Sequence, residues 1–342
     1  MRRFSVQLAG ILLAGGALAL SGCAGGSGNG SPTGDGETGG GALDVVASTN
    51  VYGSILESVG GDHVSVTSII DRPSQDPHSY EATARDKLAV NDADLVVLNG
   101  GGYDTFMERL VAEGGPDSAD VLNAVEISGL GGEPEGETGE HSHGAEEDDH
   151  SHGAEESDAA EDHEGHSHGT VNEHVWYSPA AMGMLADAAA ERLAALDPEN
   201  AADYRDNAAD FTAGIDKLTT ELAEDKAAAG GRDVAVTEPV PEYLFEAAGL
   251  HNVTPADFTS AVEAGSDVPP AILAQMQDLL RSGNLAFLAY NTQTSTSQTE
   301  AVRATAEEAG VPVLDFSETL PEGLDYLGWM EQNVASLDEV LR

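Results

Sequence analysis

The amino-acid sequence predicts an α/β protein of two lobes, each a mainly parallel sheet with flanking helices, joined by one long rigid helix. Short apolar runs alternate with segments of helical periodicity in both halves of the chain, a pattern typical of parallel sheets covered by helices. Between the halves, residues 198–229 form a single helical pattern that would span about 45 Å. A helix of that length is expected to connect two lobes.

In the first half, short buried apolar runs bounded by polar or glycine residues predict strands. These strands cover residues 44–48, 64–70 and 95–98. Apolar residues spaced three and four apart predict the helices that separate them. These helices cover residues 51–59, 82–91, 106–111 and 179–196. The alternation of the two patterns favours strand–helix–strand units.

The long helix is predicted from its apolar stripe, which consists of Tyr204, Phe211, Ile215, Leu218 and Leu222. Asp197 is expected to cap its first turn, with Pro198 at the first helical position. The pair Gly230-Gly231 is expected to end it. The second half then repeats the alternation, with strands at 234–236, 285–289 and 311–314 and helices at 242–248, 270–282, 298–309 and 327–341.

The first residues are expected to direct the chain out of the cytoplasm. Two arginines precede an apolar run that is too short to span a bilayer, and the pattern of residues 1–22 is typical of a signal peptide. The sequence Leu20-Ser21-Gly22-Cys23 resembles the lipobox of bacterial lipoproteins, in which the cysteine is lipidated. Residues 23–42 are polar and glycine-rich and predict a flexible tether. We therefore expect lipid anchoring to the extracytoplasmic face of the cell membrane.

Charge and cysteine content exclude several classes of partner and site. The chain carries 14 basic and 61 acidic residues, a formal charge of −47, so nucleic acid is excluded as a partner. Cys23 is the single cysteine, which excludes an internal disulfide and a thiolate metal site in the folded part.

A polar segment at 130–170 interrupts the first lobe, and its composition predicts disorder without metal. Seven histidines lie within it: His141, His143, His150, His152, His163, His166 and His168. Because neutral imidazole is a good zinc ligand, the His-x-His pairs predict low-affinity metal collection. The alternative is a solvated acidic tether that contains histidines incidentally.

Four side chains from distant segments suggest a divalent metal site, and they are His78, His174, Glu238 and Glu318. Three of them follow the ends of predicted strands, where open α/β sheets bind their ligands. Two imidazoles with two carboxylates suit Zn²⁺ or Mn²⁺, and the two carboxylates would neutralise the ion. Glu242 is a rival to Glu238, one helical turn away.

Three motifs together resemble the zinc/manganese branch of ABC-transporter solute-binding lipoproteins, the ZnuA/TroA-like family. They are Asp76-Pro77-His78-Ser79-Tyr80, His174-Val175-Trp176 followed by Ser178-Pro179, and Leu196-Asp197-Pro198-Glu199-Asn200 with Tyr204 and Asn207. The resemblance covers residues 43–342. It implies two α/β lobes joined by a long rigid helix, a bound metal ion as cargo and an ABC permease as partner.

The resemblance also implies roles for single residues. His78 and His174 match the first and second ligands of the family, and Glu238, five residues before Tyr243, matches the third. The fourth family ligand is usually aspartate; Glu318 is nearest in register, with Asp315 and Asp325 as alternatives. Ser178 replaces the usual aspartate before Pro179, which is expected to affect a helix cap rather than the metal.

The sequence therefore predicts a membrane-tethered, non-enzymatic binding protein that captures Zn²⁺ for import by an ABC permease and works as a monomer. The domains are expected at 43–197, 198–229 and 230–342. Mn²⁺ is the alternative cargo. Two alternatives belong to another class of protein: a secreted zinc metallohydrolase, and a metal-buffering or adhesin lipoprotein. The sequence contains no His-Glu-x-x-His motif, which counts against the hydrolase.

Overall fold

The computed structural model describes residues 41–131 and 172–342, which belong to one compact unit, Gly41–Arg342. Its first lobe contains four strands and five helices in the described ranges. They are β1 (Leu43–Thr49), α1 (Asn50–Gly60), β2 (Val64–Ile70), α2 (Ala84–Asp92), β3 (Leu95–Leu98), α3 (Thr105–Gly114), β4 (Val121–Asn123), α4 (Ala124–Ser128) and α5 (Pro179–Leu196). Short 3₁₀ helices cover Gly61–His63, Pro77–Ser79, Ser118–Asp120 and Val175–Tyr177.

A single helix, α6 (Ala201–Ala229), leads to the second lobe. That lobe consists of β5 (Asp233–Val236), α7 (Glu242–Ala247), β6 (His251–Asn252), α8 (Ala256–Glu263), α9 (Pro270–Arg281), β7 (Leu285–Asn291), α10 (Ser297–Ala309), β8 (Val313–Phe316) and α11 (Tyr326–Leu341). The predicted two-lobe α/β fold with a long connecting helix is confirmed. None of the described helices is long and apolar enough to cross a membrane.

The two sheets have the same topology. Each contains four strands that pair in parallel, in the orders β2-β1-β3-β4 and β6-β5-β7-β8. In each sheet the second strand lies on one side of the first strand, and the third strand lies on its other side. A topological switch point therefore lies between β1 and β3, and another lies between β5 and β7. Ligands of open α/β sheets bind beyond the strand ends at such points.

The connecting helix α6 is held by the apolar stripe that the sequence predicts. Tyr204, Phe211, Ile215, Leu218 and Leu222 are all buried, in a hydrophobic cluster that contains residues of both lobes. The helix packs against α1 and α5 of the first lobe and α11 of the second. Burial of large side chains on both sides stabilises the attachment of each lobe to this helix.

The predicted start of the helix was wrong, because α6 begins at Ala201 rather than Pro198. Asp197 instead accepts hydrogen bonds from the Asn200 amide (2.6 Å) and the Tyr204 hydroxyl (2.9 Å). Its carboxylate therefore fixes the turn between α5 and α6. The expected helix-cap role of Ser178 is confirmed, since its hydroxyl accepts from the Ala181 N–H at 3.3 Å and caps α5, with Pro179 at the first position.

Where α6 meets the end of α11, the buried carboxyl group of Asp225 faces the half-buried carboxyl group of Asp338. Asp225 is 2% exposed and shares a hydrogen bond with Asp338. Burial raises the pKa of Asp225 to about 6, and the hydrogen bond and charge of Asp338 make the next largest contribution. The charge of Glu221 also raises it. Arg342 opposes the shift and forms an ion pair with Asp338. Protonation of Asp225 therefore stabilises the contact between the two helices.

We expect the Asp225→Asn substitution to stabilise the protein at pH 8 by about 1 to 2 kcal/mol and to have little effect at pH 4. Because the pKa of Asp225 is higher in the folded protein than in the unfolded chain, its protonated carboxyl group stabilises the fold fully at a pH below the unfolded pKa. That stabilisation is lost as the pH rises through about 6. Urea unfolding at both pH values measures the difference. Asp216→Asn, an exposed change on the same helix, is the control, and an equal effect of Asp225→Asn at both pH values would contradict the prediction.

Candidate metal site

Three potential metal ligands converge from the first lobe. They are His78, Glu173 and His174, and in the described ranges one ligand atom from each lies within 4.8 Å of the others. The two imidazole ring centroids are 6.4 Å apart. Glu173 and His174 are buried and His78 is partly buried. Two imidazoles and a carboxylate at this spacing are suitable donors for a divalent transition metal.

The backbone at His78 is fixed by the turn that precedes it. The Asp76 carboxylate accepts hydrogen bonds from the His78 N–H (3.0 Å) and the Ser79 hydroxyl (2.7 Å). Pro77 is buried and begins the short 3₁₀ helix. The edge of the Tyr103 ring packs against the imidazole, with centroids 4.9 Å apart. This motif therefore positions His78 eight residues beyond the end of β2, at Ile70.

His174 is oriented by Asn172. The amide oxygen of Asn172 accepts from the His174 N–H (3.1 Å) and lies 2.6 Å from ring atom Nδ1. Because an amide oxygen only accepts, Nδ1 carries the ring proton and Nε2 keeps a lone pair that is available to a metal ion. The Asn172 amide also donates to the Pro239 carbonyl at 2.9 Å, and the Tyr243 hydroxyl donates to the Asn172 carbonyl at 2.7 Å. One asparagine thus orients the His174 side chain and also forms hydrogen bonds with the second lobe.

The two predicted carboxylates of the second lobe are both buried, and one amide joins them. Asn291 Nδ2 donates to Glu318 Oε1 at 2.7 Å and also to Glu238 Oε2. The Thr294 hydroxyl donates to Glu238 as well. The Tyr103 hydroxyl of the first lobe donates to Glu318 Oε2 at 3.1 Å. Glu238 and Glu318 are therefore neighbours at the strand ends of the second sheet, and Tyr103 connects them to the histidines.

Burial dominates the electrostatics of these carboxylates. It raises the pKa of Glu238 to about 7; the charge of Glu318 adds to the shift, and the Asn291 and Thr294 hydrogen bonds and His78 oppose it. Burial likewise raises the pKa of Glu318 to about 7, and the Asn291 hydrogen bond opposes that shift. The charges of Asp76 and Glu173 raise it further. Since a metal ion binds carboxylates in their charged form, loading this site would release protons.

The structure brings the four predicted ligands together as two pairs. His78 and His174 are adjacent in the first lobe, and Glu238 and Glu318 share Asn291 in the second. The group within 4.8 Å contains Glu173 and neither of the two predicted glutamates. Which of these side chains coordinate the ion remains a prediction.

The alternative acids have other partners in the structure. Asp315 is exposed and pairs with Arg303 at 2.9 Å. Asp325 is exposed and caps α11 by accepting from the Gly328 N–H at 2.7 Å. Glu242 accepts from the Asn252 amide at 3.4 Å. These contacts favour Glu318 and Glu238 over the three alternatives.

Sequence reasoning missed three residues of this site: Tyr103, Glu173 and Asn291. Tyr103 and Asn291 could have been found from their positions at strand ends. β3 ends just before the Asn99-Gly100-Gly101-Gly102 turn that leads to Tyr103, and β7 ends at Asn291. Positive φ angles of 78°, 66° and 94° at the three glycines form the turn that leads to Tyr103. Glu173 precedes His174 directly, which is the signal that it shares the site.

The other predicted functional residues lie outside the described ranges. These are residues 1–40, which include Cys23 and the predicted signal peptide, and the seven histidines of the 130–170 segment. Their predicted roles in lipidation and in auxiliary metal binding remain predictions.

Comparison with known families identifies the chain. Residues 45–340 match the model of a family described as ZnuA, zinc-uptake complex component A, periplasmic. The chain belongs to the ZnuA family. The resemblance inferred from the sequence motifs is therefore confirmed, and it covers almost the whole of the described unit.

Individual ZnuA-family relatives differ in the metal that their names give. The chain is 25% identical over 311 residues to the zinc-binding lipoprotein AdcA of Streptococcus pneumoniae (strain ATCC BAA-255 / R6), a match that covers 87% of this chain and 56% of AdcA. It is 25% identical over 315 residues to the manganese-binding lipoprotein MntA of Halalkalibacterium halodurans, a match that covers 88% of this chain and 89% of MntA. The chain thus spans about half the length of AdcA.

A solved structure supports the fold. The crystal structure of ZnuA aligns with a TM-score of 0.59 at 24% identity and covers 88% of this chain and 98% of its own.

Proposed function

We propose that this protein is an extracytoplasmic solute-binding protein that captures Zn²⁺ and delivers it to an ABC permease for import. The observation that carries the proposal is that Tyr103, which packs against His78, also donates to Glu318 of the Asn291-linked pair Glu238 and Glu318. His78 itself is grouped with His174 in the first lobe. Membership of a zinc-uptake family supports it.

The proposed ligands are His78, His174, Glu238 and Glu318. Four such donors complete a tetrahedral zinc shell, and two carboxylates balance the charge of the ion. A full shell offers no open position for an activated water, and the family supplies a binding component of an uptake complex. Both points favour a binding protein over a secreted zinc metallohydrolase.

Mn²⁺ is the second candidate cargo. Carboxylates and other oxygen donors suit manganese better than they suit zinc, and Glu173 adds a third carboxylate beside the histidines. The relative MntA is named as a manganese-binding lipoprotein, which supports Mn²⁺ as the second candidate.

Three finer features belong to the same proposal. Lipidation at Cys23 would tether the protein to the membrane, as the names of AdcA and MntA as lipoproteins support. The histidines of residues 130–170 would collect zinc at low affinity and pass it to the proposed ligands. The protein would act as a monomer toward its permease.

Metal analysis of protein purified without chelator tests the proposal. We expect about one tightly held equivalent of zinc per chain, retained against an excess of Mn²⁺ because zinc lies higher in the affinity order. Further weakly bound zinc should disappear from a chain that lacks residues 133–168. Purified protein that takes up Mn²⁺ in preference to Zn²⁺ would favour the second candidate, and protein that binds neither would refute both.

A further inference from the structure

The first lobe presents a complete set of three donors without any contribution from the second. His78 follows β2, and Glu173 and His174 precede the 3₁₀ helix that leads into α5. Their donor atoms already lie within 4.8 Å of one another. Glu173 is 6% exposed, and its backbone carbonyl accepts a hydrogen bond from the Asn99 amide at 3.0 Å. The three donor groups therefore all belong to the first lobe, and the Asn99 hydrogen bond fixes the backbone of one of them.

The two carboxylates of the second lobe are engaged with protein donors instead. Asn291 donates to both, Thr294 donates to Glu238, and the Tyr103 hydroxyl donates to Glu318 at 3.1 Å. An ion that reaches the cleft therefore meets a preassembled group on one side and hydrogen-bonded carboxylates on the other. Glu238 and Glu318 lie outside the group within 4.8 Å, so coordination by them requires their oxygens to move closer to the ion.

We propose that Glu173 forms, with His78 and His174, a capture site on the first lobe that binds the divalent ion before Glu238 and Glu318 coordinate it. The inference rests on the proposed function and adds a residue and an order of events to it. Tetrahedral zinc has four positions, and the cleft offers five donors. Glu173 is thus the ligand that leaves when the two carboxylates of the second lobe arrive.

Charge supports this order. The captured ion, with two neutral imidazoles and one carboxylate, keeps a net charge of +1, which attracts the two carboxylates of the second lobe. All three carboxylates around one divalent ion would leave a net buried charge of −1, which is unfavourable in a site shielded from water. Release of Glu173 from coordination leaves the shell of ligands around the ion neutral.

Zinc binding to four variants of the full chain tests the capture site. Glu238→Gln with Glu318→Gln removes both carboxylates of the second lobe while keeping side-chain size. We expect this double variant still to bind a single zinc, more weakly than the wild type. Adding Glu173→Gln should weaken that binding by more than about 100-fold, since even loss of a residue that only orients a metal ligand costs about 10–100-fold.

The single variant Glu173→Gln supplies a second, kinetic measurement. In stopped-flow mixing with Zn²⁺ we expect association to slow by about tenfold or more, with a smaller change in equilibrium affinity, because Glu173 is absent from the final shell. Glu246→Gln is the control, since Glu246 is an exposed acid on α7 of the second lobe. It should change neither quantity.

The outcomes separate the capture step from the function itself. Wild-type protein that binds no zinc refutes the proposed function. Wild-type protein that binds zinc, with Glu173→Gln leaving both the association rate and the affinity of the double variant unchanged, refutes only the capture site. Complete loss of zinc from a folded double variant, as judged by circular dichroism, also refutes it.

Discussion

Replacing His174 by alanine should weaken zinc binding by more than about 100-fold and leave the two-lobe fold intact. His174 is 2% exposed, and its Nδ1–H is held by Asn172, so Nε2 is preset as a donor. Alanine removes that donor, and Asn172 keeps its bonds to Pro239 and Tyr243. Competition with a chromophoric chelator measures the affinity, and circular dichroism reports the fold.

The control for this change is His251→Ala, because His251 is exposed on the short strand β6. It should leave zinc affinity unchanged. His78→Ala should reproduce the effect of His174→Ala, since both imidazoles belong to the same group of donors. Near-normal affinity in either site variant would remove that histidine from the proposed ligand set.

Replacing Asn291 by alanine should reduce zinc affinity by about 10–100-fold, although Asn291 carries no metal-ligating group of its own in this proposal. Its amide donates to Glu238 and Glu318 together and holds them side by side. Both hydrogen bonds lower the pKa of these carboxyl groups, so their loss should raise both pKa values above about 7. More protons would then compete with the ion.

The expected signature is a loss of affinity that is larger at pH 6 than at pH 8, measured by calorimetry at both values. Asn284→Ala is the matched control, because Asn284 is exposed and precedes the opposite end of β7. Equal affinities for Asn291→Ala and wild type at both pH values would show that Asn291 does not position the carboxylates.

The sequence predicts most of the architecture because strand and helix periods are strong in this chain. The apolar stripe of α6 and the buried runs of β1, β3 and β7 are visible without any structure. The short strands β4 and β6, of three and two residues, are not. Such strands have too few residues for an apolar pattern, and pairing with a neighbouring strand rather than local preference forms them.

The site could be predicted in part for a related reason. His78 and His174 carry metal chemistry in their side chains and lie in motifs, so they can be recognised singly. Tyr103 and Asn291 act by orienting other groups, and only their hydrogen bonds to Glu318 reveal that role. Glu173 resembles any other acid in a chain with 61 of them, and its meaning depends on its distance from two imidazoles.

The hydrophobic cluster shared by both lobes through α6 constrains how this chain can evolve and be re-engineered. A half taken from a relative would have to reproduce one side of that common packing surface, or the chimaera would contain voids where α1, α5 or α11 meets the connecting helix. Recombination at the boundary between the halves is therefore disfavoured. Changes in metal preference are more accessible through substitutions at the strand ends, where single side chains can vary without disturbing the shared interior.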